Sequence, residues 1–372
     1  MKKTLIALAA LAATAGVAHA QSSVTLYGVV DAYVGYNSTK TTGATTVAKV
    51  SQGVVGGSGL SSSRWGLRGS EDLGGGLAAV FTLEGGFAID TGALANNGGS
   101  TSANSTSILF GRTASVGLKG NFGEVRLGRQ YTAYDSLHGA TDHIYDSNTF
   151  ATFGAIAGTG LQDYSGRVNN SVSYASPVFG GFSGSVVYGF GEDKTATASA
   201  SNSASLQVRY TNGPLLVGYA FQREKQQVGS SLFSAANGPG LTTATAAGTA
   251  ATAADTRKYN LFGASYDFGV AKLVGAYNTA KGNSLKDKEY QVGVSVPFGA
   301  AALAVGYSHA KSDSRTATVN TNTGRGYTLL GTYDLSKRTT LYAGYINLKG
   351  ETTNGTVEVS RSLIASGIRH TF

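Results

Sequence analysis

Beyond residue 20 one unit recurs along the chain: a segment of about ten residues with apolar side chains at every second position, closed alternately by a tight turn and a long polar connection. Residues Glu289 to Phe298 show it. Tyr290, Val292, Val294, Val296 and Phe298 fall on one face, with Glu289, Gln291, Gly293 and Ser295 on the other. A side-chain period of two belongs to the β-strand. The same split runs through Leu77, Ala79, Phe81 and Leu83, through Leu215, Val217, Tyr219 and Phe221, and through Leu303, Val305 and Tyr307. Gly, Pro, Asn or Asp mark tight turns at 71–74, 120–123, 177–181, 212–214, 267–269, 297–299 and 334–337, where the chain must reverse. Connections rich in Gly, Ser, Thr, Asn and Ala occupy about 37–59, 89–105, 132–166, 192–203, 225–256, 281–287, 311–324 and 350–357. These turns and connections predict sixteen antiparallel strands.

A soluble β-sandwich also alternates. Strand length, aromatic residues beside the turns (Phe122, Phe179, Phe298, Tyr333) and the strict short–long alternation favour a membrane β-barrel instead. In lipid every backbone polar group must pair within the protein, so such strands have to close on themselves. Mean hydropathy is −0.04, and no stretch after the N-terminus has the apolar length of a helical span. Met1–Lys3, an apolar run from Leu5 to Val17 and Ala18-His19-Ala20 have the three parts of a secretory signal, so the mature chain is expected to begin at Gln21. With no cysteine, an exported chain lacks disulfides, a thiol–zinc site and a thiol nucleophile. The formal charge of +8 is spread singly along the strands rather than in runs, which argues against a nucleic-acid partner.

The connection from Thr132 to Gly166 is different. It holds Asp135, Asp142, Asp146 and Asp163, the histidines His138 and His143, and no lysine or arginine. Connections this long are functional or disordered. The expectation is that it folds into the bore of the barrel and narrows it, its aspartates facing arginines on the opposite wall.

The chain resembles the general porins of Gram-negative outer membranes, in particular the trimeric sixteen-stranded type of beta-proteobacteria. The resemblance rests on the start Ser23 to Asp31 (SVTLYGVVD), on Ser63 to Gly76 (SRWGLRGSEDLGGG), on Gly120 to Arg129 (GNFGEVRLGR), on Leu335 to Thr339 (LSKRT) and on the ending Gly367 to Phe372 (GIRHTF). It implies short periplasmic turns, long extracellular loops, a third loop bent into the pore and an arginine cluster across from it. Matching motif to motif, the candidates are Arg64, Arg112 and Arg167, with Arg68 on the face of Arg64. Parity supports Arg64, and Arg167 beside Asn169, Ser171 and Ser173. Arg112 shares parity with the apolar Ala114, Val116 and Leu118, and would need a bulge or a later strand start to face inward. Phe372 resembles the terminal aromatic read by the barrel-assembly machinery, although His370 stands where an apolar residue is more usual. Arg129, on the face of Val125 and Leu127, and Asp90 are expected at a neighbouring subunit of a homotrimer.

Cations on the wall and aspartates on the loop would set up a transverse field that orders water, admits small polar or charged solutes and penalises apolar ones. The chain is thus expected to be a passive channel for small hydrophilic solutes and ions, embedded in outer-membrane lipid, with no catalytic role, cofactor or metal. A substrate-specific channel, which Tyr27 and Tyr33 beside Asp31 could begin to line, and a structural or adhesive barrel are the alternatives. His138 and His143 could make conductance sensitive to pH near the ordinary imidazole value of about 6.5. Gly56-Gly57-Ser58-Gly59 leads into no helix and is not read as a phosphate loop. With loop aspartates and Asp31 opposing the arginines, the positive net charge tilts the expected selectivity toward anions.

Overall fold

The structure, a computed structural model, describes residues 23–43, 45, 47–95, 108–142, 144, 147, 149–152, 164–227, 255–282, 285–314, 321–352 and 357–372. Residues 1–20, read from the sequence as a leader, lie outside them. The strand segments are β1 (Ser23–Thr42), β2 (Val47–Gly57), β3 (Arg64–Gly74), β4 (Leu77–Phe87), β5 (Leu94–Ala95), β6 (Thr113–Gly120), β7 (Gly123–Tyr131), β8 (Arg167–Ala175), β9 (Phe182–Phe190) and β10 (Asn202–Asn212). They continue with β11 (Leu215–Gln226), β12 (Asp255–Asp267), β13 (Lys272–Lys281), β14 (Leu285–Phe298), β15 (Ala301–Ser314), β16 (Thr321–Asp334), β17 (Thr339–Thr352) and β18 (Val357–Thr371). Among the described residues one helix, α1 (Ala133–Ala140), follows β7.

Each strand pairs antiparallel with its neighbour, and β1 pairs with β18, so the sheet closes. β2 and β3 pair with the two halves of β1, Ala32 meeting Gly57 and Val29 meeting Arg64; they are one barrel strand broken at residues 58–63. β5 is a two-residue piece pairing only with the end of β4. The barrel therefore has sixteen strands, as the alternation of turns and connections requires.

Alternation sorts the side chains. Phe262, Tyr290, Val292, Leu303, Val305 and Leu329 are exposed on the outer face, while Ser265, Asn278, Gln291, Ser308 and Thr328 are buried on the inner one. Aromatics expected beside the turns, Phe122, Phe179, Phe298 and Tyr333, are exposed there, as in the girdles of membrane barrels.

Two expectations about boundaries need correction. The first turn lies at Gly75-Gly76, because β3 continues through Gly74. Several connections are shorter than composition suggests: β1 and β2 form a hairpin through 37–57, and β15, β16 and β17 run into 311–314, 321–324 and 350–352. Above the lipid both faces of a strand are wetted, so pairing continues without an apolar face to reveal it. The result is a barrel of unequal height. β6 to β9 have eight or nine residues each, whereas β14 to β17 have fourteen.

Closure is finished by the last residue. Phe372 N donates to Gly28 O at 3.1 Å and Gly28 N to Phe372 O at 3.0 Å, and a Cβ on Gly28 would stand 2.4 Å from the Phe372 ring and 2.8 Å from Arg64 O. Gly28→Ala is therefore expected to weaken the seam by about 1–3 kcal/mol. A lower unfolding temperature of the refolded barrel, followed by its loss of electrophoretic compaction on heating, is the measurement that checks this.

Candidate functional site

The segment after β7 begins and ends at one point, Thr132 N donating to Gly166 O at 3.0 Å. Thr132 caps α1, its Oγ1 accepting from Asp135 N at 3.2 Å, which satisfies one of the open donors of a helix N-terminus. α1 lies inside the barrel. Tyr134 and Leu137, both fully buried, pack on Ala220, Tyr259, Leu261 and Ala276, the inward positions of β11 to β13. Tyr134 OH donates to Asn278 Oδ1 at 2.5 Å. Gly218 makes the seat: a Cβ there would lie 2.5 Å from Leu137 Cδ1. Further on, Gln291 donates to Thr141 O, and the hydroxyls of Thr152 and Ser308 meet at 2.6 Å. Ile144 and Phe150 enter a second apolar cluster with Leu60, Leu330, Tyr342, Ile346 and Leu363. The described part of the segment thus follows the tall wall from β11 to β17, one cluster holding its base and the other its tip.

Leu60 belongs to the break between β2 and β3. The break turns inward around Asp31, which is fully buried: its carboxylate accepts from Gly59 N at 3.0 Å, Leu60 N at 2.8 Å, Ser61 N at 2.9 Å and Tyr342 OH at 2.6 Å. The glycine-rich stretch leads into no helix, yet its amides do enclose an anion, and the anion is the chain's own side chain. Gly59 O then accepts from Ser147 Oγ at 2.5 Å, and Gly57 O from Thr149 Oγ1 at 3.3 Å. The far end of the in-folded segment is tied to the wall through this break.

The short wall carries the arginines. β3, β6 and β8 begin, and β7 ends, at a common level, and there Arg112 Nε donates to Glu84 Oε1 at 2.6 Å and its NH2 to Tyr131 OH at 2.7 Å. Arg167 donates to the same phenol at 2.5 Å, with its guanidinium carbon 4.2 Å from the Tyr131 ring centre. Arg64 lies 3.6 Å from Glu84 Oε2 and donates to Ser61 Oγ and Ser62 O at 3.1 Å. Three guanidinium groups therefore gather around one carboxylate and one phenol. Arg68 is on a lower level, 5.1 Å from the Tyr27 ring centre. Asp135 approaches this group from the loop, accepting from Tyr164 OH at 2.9 Å. Burial pushes its carboxyl up, and Arg167 is the first of the groups drawing it back down.

Arg112 owes its inward position to a late strand start: β6 begins at Thr113, and Arg112, just ahead of it, is buried. For Arg167 the parity argument fails although the residue joins the cluster. Asn170 has φ 47° and the β7–β8 register shifts between Gly128 and Gln130, so Val168, expected outside, packs inward on Ala133 and Val187. Arg129 sits at the same irregularity, donating to Gly111 O at 2.7 Å and Asn169 Oδ1 at 2.6 Å. Asp90 is exposed in the connection after β4. Asp31 does not oppose the arginines, because its carboxylate is enclosed by the strand break. Asp142 accepts from Ile144 N at 2.9 Å. Asp146, Asp163 and His143 lie outside the described residues. Sequence reasoning missed Glu84 and Tyr131. Glu84 was legible by parity, following Leu83 on the opposite face; Tyr131 carried no signal beyond its place at a strand end.

The Gram-negative porin family model matches residues 7–353. The chain is 37% identical to outer membrane porin protein 32 of Delftia acidovorans over 99% of this chain and 95% of that one. It is 34% identical to an outer membrane porin protein of Bordetella pertussis, over 92% and 93%. Among solved structures, an anion-selective porin from Comamonas acidovorans superposes with a TM-score of 0.73 at 31% identity, covering 95% of this chain and all of that one. Closed sheet, in-folded segment and family match agree: the chain belongs to the Gram-negative porins, channel proteins of the outer membrane.

Proposed function

We propose that the protein is a general-diffusion porin with a mild preference for anions, its narrowest section bounded by the 132–166 segment on one side and by Arg64, Arg112 and Arg167 on the other. The observation that carries this reading is the gathering of three guanidinium groups around Glu84 and Tyr131, an excess of positive charge at the lip of the short wall. In a narrow bore such an excess raises the local anion concentration. The anion selectivity named for the Comamonas porin points the same way. Generality is supported by Tyr27, whose hydroxyl is bound to Glu84 at 3.0 Å and whose ring lies under Arg68, so no aromatic ladder for one solute starts there. A channel of this kind performs no catalysis. In the same reading residues 1–20 are removed on export, Phe372 is read by the barrel-assembly machinery, and Arg129 and Asp90 face neighbours in a homotrimer surrounded by outer-membrane lipid.

Single-channel recording in a salt gradient tests the assignment. Arg64→Ala with Arg167→Ala is expected to lower the anion-to-cation permeability ratio on the order of fivefold: two unit charges about 8 Å from the ion path shift anion and cation in opposite directions by roughly 1 kcal/mol each in water-like dielectric, and salt screening over that distance cuts the shift to about half. An unchanged reversal potential would reject it. Asp31→Asn is expected to act differently. With the strand break loosened, the far end of the segment moves, so conductance and its noise rise while the reversal potential stays near the native value.

Burial pushes the His138 imidazole below its ordinary value, with Asp142 and then Asp135 opposing. The ring is thus neutral at neutral pH. Because the folded value is the lower one, its contribution to the seating of α1 is complete above about 6.5 and is lost as the pH falls below that toward the folded value. Conductance is expected to be flat between pH 8 and pH 7 and to gain noise only under acid conditions, and His138→Gln should remove the part of the acid response that this ring contributes. A step centred near neutrality that vanishes in His138→Gln would contradict this.

A further inference from the structure

Residues 164–167 form the return limb of the in-folded segment, and these four consecutive residues make four different attachments. Tyr164 OH donates to Asp135 Oδ1 at 2.9 Å, and its ring lies 4.4 Å from that of Tyr134, centre to centre. Gly166 O accepts from Thr132 N at 3.0 Å, and Arg167 enters the cluster around Tyr131. Ser165 is hydrogen-bonded to the tall wall. Its N–H donates to Glu224 Oε1 at 2.6 Å and its carbonyl accepts from Gln222 Nε2 at 3.0 Å. Gln222 Nε2 donates also to Glu224 Oε1, at 2.7 Å, which closes a clasp of three residues.

Gln222 and Glu224 occupy successive inward positions of β11, and both are buried. A buried carboxylate has to be met by donors, and an N–H held by a charged acceptor is bound roughly twice as strongly as one held by a neutral acceptor. The cross-strand neighbours of Glu224 are Ser203 on β10 and Arg257 on β12. Beside the clasp the limb is packed closely. A Cβ on Gly166 would lie 2.7 Å from Asp135 Oδ1, so the backbone of the limb rests against the carboxylate that approaches the arginines. The limb is therefore fixed to both walls, and a displacement of Ser165 is passed to Tyr164 and Gly166, the two residues that confine Asp135.

We propose that Glu224 is a positioning residue for the aperture: by clasping Ser165 it fixes how closely Asp135 stands to Arg167, and with it how much of the arginine charge an ion in the bore meets. The proposal rests on the reading of Arg64, Arg112 and Arg167 as the selective section. Reversal potentials in a salt gradient test it. Asp135→Asn is expected to raise the anion-to-cation permeability ratio about twofold, the effect of one unit charge about 8 Å from the ion path after screening. Glu224→Ala should raise it by up to the same factor, because the carboxylate released by Tyr164 and Gly166 turns away from Arg167. In the Asp135→Asn background it should add nothing, as residues acting through one another do. Gln222→Ala, which opens the other half of the clasp, should shift the ratio in the same direction. Glu224→Gln, which keeps an acceptor oxygen of the same shape, should stay near the native value. Electrophoretic compaction shows which variants are folded, and if Glu224→Ala is not, Gln222→Ala and its combination with Asp135→Asn decide. Equal shifts in Glu224→Gln and Glu224→Ala would mean that the carboxylate acts through its own charge beside Arg257, and would overturn the proposal. So would a shift that persists at full size in Asp135→Asn, or none in either clasp variant. If Arg64→Ala with Arg167→Ala leaves the reversal potential unchanged as well, the reading of the aperture fails and not the clasp alone.

Discussion

Everything in this molecule follows from the need to pair backbone amides and carbonyls where there is no water. A strand in lipid has no partner but another strand, and the requirement ends only when β1 meets β18. Once the ring is closed, the two faces of the sheet answer to different solvents. Outward positions must be apolar within the bilayer, whereas inward ones need only be compatible with water or with whatever the chain puts inside. That freedom lets the same wall carry Asn278 and Gln291 in one stretch and Leu330, Ile346 and Leu363 in another.

The interior is accordingly a core as well as a passage. Tyr134 and Leu137 on one side, Ile144 and Phe150 on the other, remove apolar surface from the bore in the manner of a soluble protein, and hydrogen bonds to Asn278, Ser308 and Gly59 supply direction. The arginines opposite are held just as firmly. Tyr131 accepts from Arg112 and Arg167 together, so mutually repelling groups are kept close by a shared acceptor and by Glu84. A side chain fixed at both ends presents its charge at one place, and a constriction has to define such a place.

What could be read from the residues was whatever obeys a period. Strand number, the seven reversals, the outward aromatics and the presence of an inward connection were all legible, because each depends on local chemistry repeated many times. What escaped depends on departures from period. The left-handed Asn170 and the shifted register beside it moved Val168 inward against every parity rule. The break at 58–63 straddled the expected end of a glycine-rich loop near residue 59, and nothing local says that its amides will close on Asp31. The upper ends of β15 to β17 read as loops because, above the lipid, a wetted strand and a polar connection have the same composition. Arg112 is the intermediate case: its parity was wrong for the pore, and only the start of β6 at Thr113 corrects it.

The bond from Tyr342 to Asp31 joins residues 311 apart in the chain. Closing a contact of such sequence separation carries the loop-closure entropy of the whole intervening chain. Asp31 organises the strand break, and the break receives the tip of the in-folded segment, so the aperture cannot take its final width until the penultimate strand, β17, has arrived. Gauge and closure are one event. A barrel without β17 in place has no calibrated hole, so an unfinished cylinder cannot act as a selective one.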